Sequence, residues 1–410
     1  MKLLVISNGL WLSGAQVSAN EFLRYIGGEA VVKVLSCTEG KYIYIPPKAE
    51  VHRVPCGKIG NLVTMDLDSI AERFIKWADV VWIATSEFRL APSIKKIRRV
   101  PIIAHLHSYE FICPYMYLPC GYKNVCTYGC CTYGCSTYGC SMRKIVDCKQ
   151  NMILEMSKLG VLPGIHKITH LATSFLTAPI DYIRWRLNMK EVIESIDFFI
   201  AVSKFVRDIY LEYFPGIESN IEVIYNPGAL RPWRYVNSFP EREPYIIYAG
   251  GANIIKGPHI LLQAFNLLHK DFDIELYMLG VSGSWIENYV NRFGIKRVKL
   301  LGKLFGYKFF NMLARARATI VPSITPETGS LIAIESISLG VPVIGSNRGA
   351  LPEIVEGYGI VTEPKPENLA YAISIIMKRE YNRDEMRKYS EQKFGKNNVE
   401  QFLKTINDAF

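Results

Sequence analysis

The sequence predicts an α/β protein made of two doubly wound parallel-sheet units, and three observations carry that prediction. Through the first half, short apolar runs of strand length alternate with stretches of helical spacing. The same alternation restarts after residue 244. Between the halves lies RPWRYVNSFPEREP, whose three prolines and mixed charge mark a linker. Strands that alternate with helices pair in parallel, and their helices cover both faces of the sheet.

KLLVIS, residues 2–7, reads as a first buried strand rather than a signal peptide, because it has strand length and runs straight into a glycine turn. The helix QVSANEFLRYI follows. AVVKVLSC, DVVWIATS and PIIAHLHS read as further buried strands, with DLDSIAERFIKWA as an amphipathic helix among them. Residues 150–196 are mostly helical in pattern. SIDFFIAVSKFVRDIYLEYF returns to strand then helix, with Ser203 placed to cap the helix.

In the second half the strands are YIIYAGG, IELYMLG, VKLLGK, ATIVPS and PVIGS. The helices between them are GPHILLQAFNLLHK, SWIENYVNRFG, YKFFNMLARA and SLIAIESISLG.

A chain of 410 residues that is 49% hydrophobic and 21% charged is not disordered as a whole, and its length suits two domains. No window reaches the roughly 18 uninterrupted apolar residues of a membrane span. The 48 Lys plus Arg against 38 Asp plus Glu leave +10, which favours anionic partners or a solvated basic surface.

Eight of the ten cysteines fall at 113–148, five of them in CTYGCCTYGCSTYGC, a threefold Tyr-Gly-Cys repeat. Gaps of 5, 3, 0, 3, 4 and 7 residues from Cys120 to Cys148 lack the two-residue pairing of a zinc module. A disulfide or structural-metal crosslink of a long loop, or free thiols, suit this stretch better than a catalytic role.

In open α/β sheets ligands sit at the carboxyl ends of strands, where helix N-termini offer amides to anions. Four junctions here have suitable chemistry. LSGAQ places Ser13 and Gly14 after the first strand. YAGGANIIKGPH places Gly250, Gly251 and Lys256 before a helix that Pro258 suits as its first residue, a pattern for phosphate.

In the third, SITPETGSLIAIESISLGVPV, Glu327 stands in a loop, Gly329 and Ser330 at a helix start, and Glu335 eight residues beyond Glu327. Eight helical residues would rise about 12 Å, too far for a hydrolase pair acting on one bond and suited to gripping two ends of one elongated ligand. In the fourth, IAHLHSYEFICP, His105 and His107 alternate at a strand end and are expected one to each face.

With these residues in place, the chain resembles a family 4 retaining glycosyltransferase of the GT-B fold. The resemblance rests on PETGSLIAIESISLGVPV followed by GALPEIV, supported by SIDFFIAVSKFVRD, IEVIYNPG, KGPHILLQAF, VKLLGKL and HSYEFICP, in order over residues 3–375. It implies two Rossmann-like domains facing across a cleft: an acceptor-side domain at 1–235, a nucleotide-sugar domain at 236–385, and a helix at 386–410 packing back on the first domain.

The resemblance also implies roles. Glu335 would accept from the donor ribose and Glu327 would hold hydroxyls of the transferred sugar. Amides around Thr328, Gly329, Ser330 and Leu331, with Lys256, would neutralise the leaving diphosphate without a metal. His107 would lie near the transferred sugar, with Ser13, Gly14, Gly250 and Gly251 on the donor path.

Four departures stand out. Gly251 replaces the family's arginine, a loss that Arg348 or another basic residue would have to cover. Ser108 replaces its aspartate, Ser13-Gly14 its N-terminal Gly-Gly, and Gln16 the glutamate that follows.

No cofactor beyond the nucleotide-sugar donor is implied. The acceptor is expected to be a glycan or lipid-linked glycan. The basic, aromatic stretch with Arg184, Trp185 and Arg186 suits the cytoplasmic face of an anionic membrane, or a helix packed on its own domain. The rivals are a catalytically degenerate nucleotide-sugar binder, an epimerase or glycogen-type synthase on the same fold, and a metal- or nucleic-acid-binding module. No nucleic-acid docking motif is present.

Overall fold

The computed structural model describes residues 1–8, 14–26, 28–37, 44–59, 62–112, 153–154, 156–157, 183, 187, 189–268 and 272–409. Ser13, the cysteine-rich stretch at 113–148 and residues 184–186 lie outside them.

The first sheet follows from apolar alternation. In β1 (Lys2–Ser7), Leu4 and Ile6 enter one core while Leu3 and Val5 enter the opposite one. β2 (Val31–Ser36) and β3 (Glu50–Arg53) flank β1 on one side. An antiparallel hairpin of β4 (Cys56–Ile59) and β5 (Leu62–Met65) follows, and a Cys37–Cys56 disulfide with Cα atoms 5.5 Å apart ties it to the end of β2.

On the other side of β1 come β6 (Val80–Ile83), β7 (Ile102–Leu106), β8 (Phe198–Ala201) and β9 (Ile221–Val223). All pairings in the order β3-β2-β1-β6-β7-β8-β9 are parallel.

One face of this sheet carries α2 (Ser69–Trp77), α3 (Ala91–Ile97), α4 (Met189–Glu194) and α5 (Lys204–Tyr213). Asp68 caps α2 by accepting from the Ile70 and Ala71 amides at 3.0 and 2.8 Å. Ser203 caps α5 as the sequence predicts, accepting from Val206 N at 3.2 Å.

The other face carries α1 (Gly14–Ile26). The second sheet has β10 (Tyr245–Tyr248), β11 (Glu275–Leu279), β12 (Val298–Leu301), β13 (Ala318–Val321), β14 (Val343–Ser346) and β15 (Gly359–Thr362). They are parallel in the order β12-β11-β10-β13-β14-β15.

Its helices are α6 (Pro258–Leu268), opened by Pro258 as predicted, α7 (Trp285–Phe293), α8 (Gly306–Arg315), α9 (Leu331–Ser338), α10 (Leu351–Val355) and α11 (Pro366–Ile376).

The chain ends in two helices. In α12 (Arg383–Phe394), Met386 and Phe394 pack beside Ile334 and Ile337 of the second domain. In α13 (Lys396–Asp408), Val399, Phe402 and Ile406 bury in the first domain, the Phe402 ring lying 4.5 Å from Phe22 and 4.7 Å from Trp82.

The predicted linker is a docked strap rather than a loose connection. Trp233 Nε1 donates to Ser338 Oγ at 2.8 Å, the Arg387 guanidinium lies 3.7 Å from the Trp233 ring, and Arg242 donates to the Gly340 carbonyl at 2.8 Å. Its prolines break secondary structure, yet its arginines and tryptophan find fixed partners.

Strand order reverses between β1 and β6 and again between β10 and β13. Those two switch points are where an open α/β sheet leaves a crevice. Among the described residues no helix is long and apolar enough to cross a membrane.

Candidate active site

In the second domain, the turn leaving β10 carries Gly250 and Gly251, and the Tyr248 hydroxyl donates to the Gly251 carbonyl at 2.9 Å. A 3-10 turn at Ile254–Lys256, capped by Asn253, delivers Lys256 to the crevice. Gly257 closes that turn at φ +72°, against the Pro322 carbonyl, where a Cβ would overlap. Ile324 N donates to Ile255 O at 2.8 Å, so the turn after β10 and the loop after β13 are joined.

That junction brings Lys256 Nζ to 2.7 Å from Glu327 Oε1. Ser323 Oγ donates to the same carboxylate. The Glu327 backbone is fixed as well: it forms a parallel bridge with Gly349, and its carbonyl accepts from Ala350 N at 2.8 Å. Arg348 stands one residue before Gly349 on this loop.

Helix α9 starts at Leu331, with Ser330 at the cap position and, among the described residues, no side-chain cap on its first amides. Its first N–H groups and positive dipole end can therefore receive an anion. Residues 327–330 are not helical, so only Leu331 to Glu335 rises along the axis. The predicted eight-residue helical rise between the two glutamates is corrected accordingly, because the Pro-Glu-Thr-Gly stretch forms an extended entry to the helix.

Glu335 is 2% exposed and accepts from Arg231 Nη1 on the strap. Burial pushes its carboxyl up, and the Arg231 charge pulls it back down. Arg231 also lies 5.2 Å from the Phe310 ring centre, while Arg234, three residues on, donates to Glu21 of α1 at 2.6 Å. The sequence pattern does not disclose Arg231; the signal was two arginines three residues apart within a supposed linker.

The first domain meets this site directly. Thr328 Oγ1 donates to the His107 carbonyl at 3.0 Å, and the Tyr109 hydroxyl donates to Pro326 O at 3.4 Å. Asn226 Nδ2 donates to Gly329 O at 3.3 Å and its Oδ1 accepts from Ser18 Oγ at 2.5 Å, which ties α1 to the α9 entry. Gly14 opens α1 one turn before Ser18, with nothing within 4 Å of an added Cβ.

His105 and His107 share a face, contrary to expectation: their ring centres are 4.2 Å apart. Side chains two residues apart on an extended strand point the same way, so alternation cannot separate them. His105 is fully buried, and desolvation holds it well below the usual imidazole range. Desolvation also pushes His107 down, to about 3, so its ring is neutral at ordinary pH. Among the described residues His107 Nε2 has no hydrogen-bond partner.

The structure thus gathers Lys256, Glu327, Thr328, Gly329, Ser330 and His107 at one place, with Glu335 in the second turn of α9 and held by Arg231. Gly250 and Gly251 remain on the turn upstream of Lys256. The group combines one lysine, a helix N-terminus and two carboxylates, and it meets the strand end that carries His107 through the Thr328 hydroxyl. It suits an anionic ligand bearing hydroxyls on either side of its negative charge.

The family model "Glycosyl transferases group 1" matches residues 231–393. An uncharacterised glycosyltransferase of Methanocaldococcus jannaschii is 26% identical over 225 residues, covering 49% of this chain and 57% of that protein. Spore coat protein SA of Bacillus subtilis is 23% identical over 249 residues, covering 52% and 65%. The matched stretch therefore spans between half and two thirds of those relatives.

Among solved structures, Anabaena HepE in complex with UDP-glucose superposes with a TM-score of 0.67 at 16% identity over 100% of both chains. The lipopolysaccharide outer core galactosyltransferase WaaB superposes at 0.61 with 14% identity, again over 100% of both.

Proposed function

We propose, for a chain that has the GT-B fold and whose residues 231–393 match the glycosyl transferases group 1 family model, that it is a retaining hexosyltransferase of family 4 type. It moves a sugar from a nucleotide-diphosphate sugar to a glycan or lipid-linked acceptor. The observation that carries this is the meeting of Lys256, Glu327 and the uncapped α9 N-terminus opposite His107, with Glu335 set further up α9. HepE's complex with UDP-glucose favours a UDP sugar as the first donor to test.

In this reading the diphosphate lies at the α9 amides, where Lys256 and the helix dipole take up negative charge as the bond to C1 breaks. Glu335 accepts from the ribose and Glu327 from hydroxyls of the sugar. The acceptor oxygen bonds to C1 on the face the phosphate leaves, and its proton passes to the departing phosphate oxygen. The neutral His107 ring beside the sugar can donate or accept a hydrogen bond without adding a competing positive charge. Placement and charge complementarity supply the catalysis, and the lysine and amides do the neutralising without a metal ion.

A thermal-shift screen with UDP, GDP and ADP sugars, repeated for the best hit on Glu335→Ala, tests the donor assignment. Stabilisation of the wild type that vanishes in the variant is expected, whereas no response to any nucleotide sugar would sink the assignment. The lipid-linked acceptor and the membrane face it implies are tested by co-sedimentation with anionic liposomes at low salt.

A further inference from the structure

Behind the cleft, a carboxylate of the second domain sits on a helix end of the first. Glu353 of α10 accepts from Phe205 N through Oε1 at 3.1 Å, and through Oε2 from Lys204 N at 3.3 Å and the Tyr225 hydroxyl at 2.8 Å. Lys204 and Phe205 are the first two residues of α5, a ten-residue helix whose own cap, Ser203, serves Val206. The carboxylate thus pairs with the first two amides of α5, at the end where the helix dipole favours negative charge.

This contact is rigidly linked to the site. Gly349 and Ala350, which hold the Glu327 backbone, run directly into α10 and Glu353. Lys393 of α12 braces α10 from behind, its Nζ donating to the Glu353 carbonyl at 2.6 Å and to Glu356 at 2.9 Å. On the first-domain side, α5 follows β8, which pairs with β7, and β7 leads into His107. One stiff unit therefore spans from Glu327 to Glu353 and meets the first domain at both ends, at His107 through Thr328 and at α5 through Glu353.

We propose that Glu353 is a positioning residue: its seat on the α5 N-terminus clamps the two domains in the closed arrangement and so sets Glu327 against His107. The catalytic part of this statement rests on the donor reading above, and the clamp itself does not. Removing the carboxylate takes one acceptor group away from two amides and a hydroxyl, and the domains are then held by the contacts at the cleft, the strap and the α12–α13 crossover. Ligand binding must supply the closure that Glu353 now supplies, so apparent affinity falls while the assembled site, once occupied, works at its former rate.

The test uses the full chain with Glu353→Ala, Glu353→Gln and Tyr225→Phe. Small-angle scattering without ligand is expected to show a larger radius of gyration for Glu353→Ala than for wild type, shrinking again with saturating UDP-glucose. KM for UDP-glucose is expected to rise about tenfold with kcat within twofold, and Glu353→Gln, which keeps one acceptor oxygen, is expected to fall between. Should Glu353→Ala not fold, Glu353→Gln and Tyr225→Phe carry the same comparison. An unchanged radius, or a lowered melting temperature with KM unmoved, overturns the clamp and leaves Glu353 a packing residue. If wild type ignores nucleotide sugars yet the variants still open in scattering, the donor reading fails and the clamp stands.

Discussion

Arg231 and Glu335 form a buried ion pair that joins the strap between the domains to the second turn of α9, the arginine side chain 18% exposed and the glutamate 3%. Burial pushes so deeply placed a carboxyl above its usual range, while Arg231 facing it pulls it down, with Arg234 adding to that effect and Glu21 opposing it.

Replacing Arg231 by methionine is therefore expected to destabilise the protein by about 3 kcal/mol, the scale on which breaking one side of a buried pair acts. The deficit should depend on pH with a definite sign. Without its partner, the folded-state Glu335 carboxyl rises further above its unfolded value, so stability is retained at low pH and lost as pH rises. Urea unfolding at pH 5.5 and pH 8 checks this, and the double variant with Glu335→Gln should recover most of the loss. A deficit equal at both pH values would mean that Arg231 matters only by packing.

Lys256 is expected to act on the phosphates rather than on the nucleoside. A charge-assisted contact contributes about 1.5–3 kcal/mol, so Lys256→Met should weaken UDP binding about 10- to 100-fold and leave uridine binding nearly unchanged. Calorimetric titration with both ligands reads the difference. An equal loss for both would place the effect in Glu327, which Lys256 holds at 2.7 Å.

How far the sequence reaches is clearest in such pairs. Local signals were legible: the strand–helix alternation of both sheets, Ser203 as a cap and Pro258 as a helix start depend on near neighbours, and the structure places them as read. The edge strands β3, β9 and β15 escaped, since EVHR, IEV and GIVT are half exposed and lack the continuous apolar run of a central strand. The Arg231–Glu335 pair spans 104 residues and the Glu353–Phe205 contact 148, so no local pattern encodes them. His105 and His107 failed for another reason: period-two geometry, applied correctly, puts them on one face.

Gly349 is expected to be intolerant of a side chain. It lies at φ +65°, and a Cβ there would run into the Glu327 backbone it pairs with. Gly349→Ala should therefore displace Glu327, cutting transfer activity at least tenfold and lowering the melting temperature. Gly283→Ala is the control: it has φ +73° but nothing within 4 Å of an added Cβ, so only the left-handed backbone cost of about 1–2 kcal/mol applies. Equal activities in the two variants would show that Glu327 needs no backbone support from Gly349.

Acid stability should report the buried imidazoles. His107 is held to about 3 in the folded state, and His105 is also held well below 6.5. The unfolded chain protonates both near pH 6.5. Below that pH the unfolded state binds more protons than the folded one, so stability is full above about 6.5 and falls as pH drops toward 3. For His107 alone the loss by pH 5 is at most about 2 kcal/mol, at 1.36 kcal/mol per pH unit. Glu87 works in the opposite sense: burial raises it to about 6, so it favours the fold at low pH and ceases to as pH climbs through that value. The two effects are separable in variants. His107→Gln should lose less stability than wild type between pH 7 and pH 5 in urea titrations, whereas Glu87→Gln should leave the acid slope as steep as before or steeper. Parallel curves for wild type and His107→Gln would mean that His107 titrates normally and that its ring reaches water in the folded protein.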